Sequence, residues 1–219
     1  MNKESKTLLR EFINKAGLNF IEISNEKSFI KIYDLFTRDN MFEPENSLEE
    51  LYIARYFRLK FKKNQNKDDL IKSLYYYNKS VESLNSDAMY DLGNFYKEHG
   101  KYEKMKKMYK LSYECNNVYG LLLLAYYYKQ IKKYKKMIQY YIIAIKWNNT
   151  NAMLNLGVFY YEIGDFKNME KYYKMALFNG NKMAIYNLMN YYQEKGLDNE
   201  MILVWKQYNK IYHRVSCRS

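Results

Sequence analysis

The sequence has little that breaks a helix and little from which an active site is built. Proline occurs once, at Pro44, and glycine eight times in 219 residues. Both residues interrupt helices and supply turns, so their scarcity means few turns and much helix. The two cysteines, Cys115 and Cys217, lie far apart and near no metal-ligand spacing, which fits a reducing compartment. The two histidines, His99 and His213, have no cysteine or carboxylate at ligand or triad spacing and read as solvated surface residues. There is no glycine-rich phosphate loop. The most apolar stretch, residues 118–128, is far too short to span a bilayer, and no signal-peptide run follows the amino terminus. The expectations are a protein without cofactor, metal site or catalytic constellation, intracellular and cytoplasmic.

Apolar residues are plentiful by contrast, at 48% of the chain, and 27 of the aromatics are tyrosines. The formal net charge is +12, which permits an acidic partner, nucleic acid or an anionic membrane surface without requiring one.

The pattern that organises these residues is a repeat. Residues 151–181 read as one helix–turn–helix unit, and its positions recur at a spacing of 32. Gly157, Phe159 and Tyr160 become Ala125, Tyr127 and Tyr128 one step back, and Gly93, Phe95 and Tyr96 two steps back. One step forward gives Tyr191 and Tyr192. Met105, Met137, Met169 and Met201 keep the same spacing, as do Tyr109, Tyr141, Tyr173 and Trp205. A fixed period of this size means a stacked array in which neighbouring units cover each other's apolar faces. Gly93, Ala125 and Gly157 are expected to let the second helix of each pair approach closely, and Tyr96, Tyr128, Tyr160 and Tyr192 to fill the space between consecutive units. Gly100, Gly164 and Gly196 suit left-handed turns between helices; Lys132 stands at the corresponding place.

Residues 1–45 lack the repeat and read as a helical N-terminal segment. Leu8, Leu9, Phe12 and Ile13 share one helical face, ended by Gly17; Phe29, Ile30, Tyr33 and Phe36 share another. Ser47-Leu48-Glu49-Glu50 has the pattern of a capping box. Lys62 to Lys67 reads as a polar loop, with an insertion in the early unit that contains it. The array is expected over 46–212, in units near 46–86, 87–117, 118–149, 150–181 and 182–212, followed by a basic tail, 213–219.

These residues resemble tetratricopeptide (TPR) and Sel1-like repeats. The unit at 151–181 carries the Leu156-Gly157 pair, Tyr160, the turn Gly164-Asp165-Phe166, then Tyr173 and Ala176; the stretch 178–184 is more similar to Sel1 repeats. Met105, Met137 and Met169 replace a usual small residue, the customary proline between units is missing, and the unit is short by about two residues for TPR. The resemblance implies an all-α, right-handed superhelical solenoid of antiparallel helix pairs, with extra helices at the N-terminus.

It also implies a concave groove lined by the first helices. Its residues would be Tyr90, Asn94 and Lys97; Leu122, Tyr126 and Lys129; Leu154, Val158 and Tyr161; and Tyr186, Asn190 and Gln193. Such a surface suits an extended peptide or a helix, anchored on aromatics. The paired-lysine clamp of some TPR domains is absent, because Tyr90 and Tyr186 stand where lysines are expected. The leading expectation is a non-enzymatic protein–protein interaction scaffold. The alternative is a basic solenoid that binds nucleic acid or an acidic partner through Lys129, Lys132, Lys133, Lys135 and Lys136. Glu98, Glu162 and Glu194 recur in register and read as helix-end surface groups.

Overall fold

The computed structural model describes Thr7 and residues 26–216; the helical face expected at Leu8–Ile13 and the last three residues of the tail lie outside them. The described residues contain eleven α-helices and no strand. They form two compact units, residues 1–117 and 118–219.

The first unit holds α1 (Glu26–Arg38), α2 (Ser47–Asn64), α3 (Lys67–Glu82), α4 (Ser86–Glu98) and α5 (Tyr102–Glu114). In α1 the buried apolar residues are Phe29, Ile32 and Leu35, while Ile30 is 53% exposed. Of the expected face, Phe29, Tyr33 and Phe36 pack against the core, Ile30 turns outward, and Ile32 and Leu35 join them against α2. There they pack among Tyr52, Ile53, Tyr56 and Phe57.

Helix α2 is capped one residue before the expected Ser47. The Asn46 side chain accepts from the Glu49 N–H, and Glu49 reaches back to the Glu45 N–H at 2.8 Å. Glu49 is itself buried, and also accepts from the Ser28 hydroxyl and from Lys31. Burial pushes its carboxyl up, but these donors outweigh burial and hold it below its ordinary value. A pKa lower in the folded state adds stability that is present above the unfolded value and is lost as pH falls through the folded one. Glu49→Gln should therefore cost about 1.5–3 kcal/mol at neutral pH. In urea denaturation that deficit should shrink as pH falls below the ordinary carboxylate range; a deficit independent of pH would show that the charge is not what matters.

From Glu49 to Phe57 every residue of α2 is buried, because α1, α3 and α4 close round it. The expected loop at Lys62–Lys67 is not a loop. Lys62 and Lys63 form the last turn of α2, where cations suit the helix dipole. Gln65 turns left-handed, and Asn66 caps α3. The early unit departs from the repeat through longer helices, of 18 and 16 residues, rather than through an insertion between them. Arg55, 1% exposed, donates to Asp91 of α4 at 2.6 Å and lies over the Tyr52 ring.

The second unit holds α6 (Tyr119–Gln130), α7 (Tyr134–Lys146), α8 (Thr150–Glu162), α9 (Phe166–Phe178), α10 (Met183–Glu194) and α11 (Asp198–Ser216). They pair as α6 with α7, α8 with α9 and α10 with α11, and each pair packs on the next. Inside the pairs, glycine and tyrosine interlock. A Cβ on Gly157 would stand 2.4 Å from the Tyr173 ring, and one on Gly93 of the first unit 2.4 Å from the Tyr109 ring. The chain between Lys129 and Tyr134 turns through Lys132 at φ 56, a left-handed conformation that Gly100, Gly164 and Gly196 adopt without a Cβ penalty.

Of the tyrosines expected between units, Tyr192 of α10 does reach Lys174 and Glu170 of α9, but Tyr128 and Tyr160 are used within pairs. Tyr128 stacks on Tyr140 at 5.4 Å, and Tyr160 on Tyr172 at 5.5 Å. Each stack joins the two helices of one hairpin. The neighbouring position reaches across instead: Phe159 meets Tyr134 of the preceding pair, and Tyr191 meets Phe166. A one-residue step turns a helical side chain by about 100°, enough to exchange a partner in the same pair for one in the next. The last pair breaks the interlock, with Met189 and Trp205 at the places of Gly157 and Tyr173.

Candidate functional site

Residues Leu154, Val158 and Tyr161 lie four and three apart, so they share one face of α8; Asn187, Asn190, Tyr191 and Glu194 do the same on α10. Between them opens a hollow of about 280 Å³, lined by Val158, Tyr161, Tyr173, Asn187, Asn190, Tyr191 and Glu194. Three of these, Val158, Tyr161 and Asn190, are among the expected groove residues. Tyr173 belongs to α9 and reaches the floor only because Gly157 has no side chain in its path.

The polar groups of the hollow are ordered by the protein itself. The Tyr161 hydroxyl donates to the Glu194 carboxylate at 2.8 Å, and this bond with its charge holds the phenol above its ordinary pKa. Burial pushes the Tyr173 phenol up to about 12, against a hydrogen bond with Asn187 that lowers it. The hydroxyl is therefore neutral across the physiological range. The lining residues contain one carboxylate and no lysine or arginine. Lys129 of α6 is bonded to Glu162 of α8 at 2.7 Å, and Lys195 lies over the Phe166 ring.

The other expected groove residues are placed differently. Leu154 is half-buried against the core of α8 to α11. Leu122 is half-buried, and Tyr126, Tyr186 and Gln193 are exposed; none of the four lines the hollow. In the first unit, Tyr90 packs near Tyr109, Asn94 accepts the Tyr109 hydroxyl at 2.7 Å, and Lys97 is exposed. His99 is exposed, and its ring lies on Phe95.

Four of the seven lining residues, Tyr173, Asn187, Tyr191 and Glu194, were not among the expected ones. Tyr173 counted as packing and Glu194 as a helix-end surface group. The glutamates are exposed, yet each accepts from the first helix of the preceding pair: Glu98 from Arg58, Glu162 from Lys129 and Glu194 from Tyr161. The signal available was a second spacing. Donor and glutamate stand 33 apart at Lys129/Glu162 and Tyr161/Glu194, and tyrosine and asparagine 14 apart at Tyr141/Asn155 and Tyr173/Asn187. Among the described residues no group of three or more His, Cys, Asp or Glu side chains could hold a metal ion. None of the described helices is long and apolar enough to cross a membrane.

Residues 86–117, 118–151 and 150–177 match the tetratricopeptide repeat family. The matched segment, less than half of the chain, consists of tetratricopeptide repeats, and the described residues as a whole fold as helix pairs. Among solved structures the chain is similar to a Sel1 repeat protein from Oxalobacter formigenes, with TM-score 0.55 and 17% identity over 94% of this chain and 86% of that one. It is similar also to c5321, a protective antigen present in uropathogenic Escherichia coli strains that displays an SLR fold. That match has TM-score 0.56 and 21% identity over 93% of this chain and 44% of that one. A third is BtubC from P. vanneervenii, with TM-score 0.53 and 16% identity over 95% and 92% of the two chains. At these identities the likeness is one of fold. No curated protein sequence matches the chain significantly.

Proposed function

We propose that the chain is a non-enzymatic interaction module, working in the cytoplasm, that holds an extended peptide or a helix of a protein partner against its first helices. The repeat array over 46–212, in the five pairs described by the expected boundaries, is the binding part. Folds of this repeat class generally mediate protein–protein interaction, and the observation that carries the reading here is the hollow between α8 and α10. It combines ring faces, amide groups and one carboxylate on rigid helices, which suits the alternating side chains and backbone of a peptide. Tyr90, Asn94, Lys97, Leu122, Tyr126, Lys129, Leu154, Tyr186 and Gln193 are proposed as further contacts along the first helices.

A variant carrying Tyr161→Ala and Asn190→Ala should lose its partners in quantitative affinity capture, at a cost of about 2 kcal/mol or more for an aromatic anchor. Unchanged partners and unchanged affinity would remove the hollow from the account. The nucleic-acid reading is separated by filter binding across a salt series, where phosphate contacts give a steep loss of affinity with salt. Two lysines of the basic cluster already have internal roles, Lys129 with Glu162 and Lys136 over the Tyr128 ring, which weakens that reading.

A further inference from the structure

We propose that the hollow between α8 and α10 takes the guanidinium group of an arginine side chain from the bound segment; this rests on the peptide-binding reading above and narrows it. A carboxylate, Glu194, stands at the edge of the hollow, with the Tyr161 hydroxyl as its hydrogen-bond donor. Asn187 and Asn190 line the hollow with amide groups able to accept, and Tyr161 and Tyr191 line it with aromatic rings, Tyr161 being the more exposed of the two. Nothing basic lines the space. A second carboxylate, Glu162, lies close enough to act electrostatically on the Tyr173 hydroxyl at the floor. The neighbouring cations are engaged elsewhere, Lys129 by Glu162, Lys195 by the Phe166 ring and Lys174 by Glu170.

A flat group with five N–H donors fits this arrangement better than any other side chain. It can stack on a tyrosine ring while donating to a carboxylate in its own plane. An ammonium fits less well, because it is a compact and strongly hydrated charge that does not stack. The chain as a whole carries a net charge of +12, which favours acidic ligands. An arginine preference here is therefore local to the hollow and opposite in sign to what the total charge suggests.

The test begins by panning phage-displayed random dodecapeptides on the full chain. A selected peptide is then synthesised with its arginine intact and with citrulline, which keeps the shape and removes the charge. Glu194→Gln is the protein variant; Glu194 is exposed, and glutamine can still accept from the Tyr161 hydroxyl. The expected results are arginine-bearing peptides, a loss of about tenfold or more with citrulline, and a similar loss with Glu194→Gln for the arginine peptide alone. The citrulline peptide should bind both proteins equally. Peptides that lose affinity with Tyr161→Ala and Asn190→Ala, yet tolerate citrulline or Glu194→Gln, overturn the arginine assignment and leave the peptide-binding reading standing. If no peptide binds, or none responds to that double substitution, both fall together.

Discussion

Replacing Arg55 by alanine should lower stability by about 3 kcal/mol or more, because it strips the partner from a half-buried carboxylate. The guanidinium is enclosed by α2, α3 and α4, donates to Asp91 and lies over the Tyr52 ring. Asp91 keeps some contact with water, which places the cost at the lower end of the range for broken buried pairs. Asp87 stands one turn earlier on α4. Burial already pushes its carboxyl up, and Arg55 pulls it back. Without Arg55 it should rise further, and a group with a raised folded pKa loses stability as pH climbs through that value. The deficit of Arg55→Ala should therefore be largest near neutral pH and smaller in acid. Arg55→Met combined with Asp91→Leu should recover most of the loss, since a well-packed apolar pair avoids the desolvation that an ion pair only offsets. Urea denaturation of the single and double variants closes the cycle. An alanine variant as stable as the wild type would mean that water reaches the site and solvates Asp91.

Gly157→Leu is expected to be the most damaging change in the second unit. The first added atom alone would lie 2.4 Å from the Tyr173 ring, far inside van der Waals contact. That ring is buried and cannot swing away. Overpacking of this kind costs about 1–3 kcal/mol. The opposing term, the better helix propensity of leucine, contributes about 0.6–1 kcal/mol, so the melting midpoint should fall. Gly157→Ala should fall between the wild type and Gly157→Leu, since the chain carries alanine, Ala125, at the equivalent position one repeat earlier. Hydrogen exchange should show α8 to α11 loosening before α2 to α5, because each pair depends most on its neighbours. A stabilised Gly157→Leu protein would show that the helices can part without loss. Displacing Tyr173 would also remove the floor of the hollow, so partner affinity should drop with stability.

Much of this was legible in the sequence because it is periodic. The close approaches at Gly93 and Gly157, the buried Met105, Met137 and Met169, and the left-handed turn at Lys132 all follow from a single repeat of 32 residues. Reading at that spacing compares equivalent positions, which inside the array share their burial at Met105, Met137 and Met169 and at Tyr109, Tyr141 and Tyr173. It does not say which neighbour a side chain meets. Tyr160 and Phe159 are adjacent and both aromatic, yet one stacks within its pair and the other across to the next. The distinction is a rotation about the helix axis, which a pattern of apolar letters does not resolve. The early unit escaped for a related reason. The longer α2 and α3 shift the register, so its Arg58/Glu98 bond stands 40 apart instead of 33. The hollow was legible only in part because the rest of its lining comes from residues with two duties. Tyr173 packs on Gly157 with its ring and faces Asn187 with its hydroxyl.

The placement of the aromatic residues decides which spectroscopic signal reports on which part of the molecule. Both tryptophans lie at the surface, Trp147 at the end of α7 with 53% of its area exposed and Trp205 on α11 with 47%. Their fluorescence starts from a partly aqueous environment, so it is a poor gauge of whether the interior is intact. Trp205, stacked on Tyr208 beside an apolar hollow of Met189, Met201 and Ile202, reports instead on events at that one face. The interior is written in tyrosine. Tyr77, Tyr109, Tyr141 and Tyr173 hold their protons above the ordinary phenol range because they are enclosed. Ultraviolet absorbance in alkali therefore follows the interior, because these enclosed phenols ionise as the helix pairs come apart.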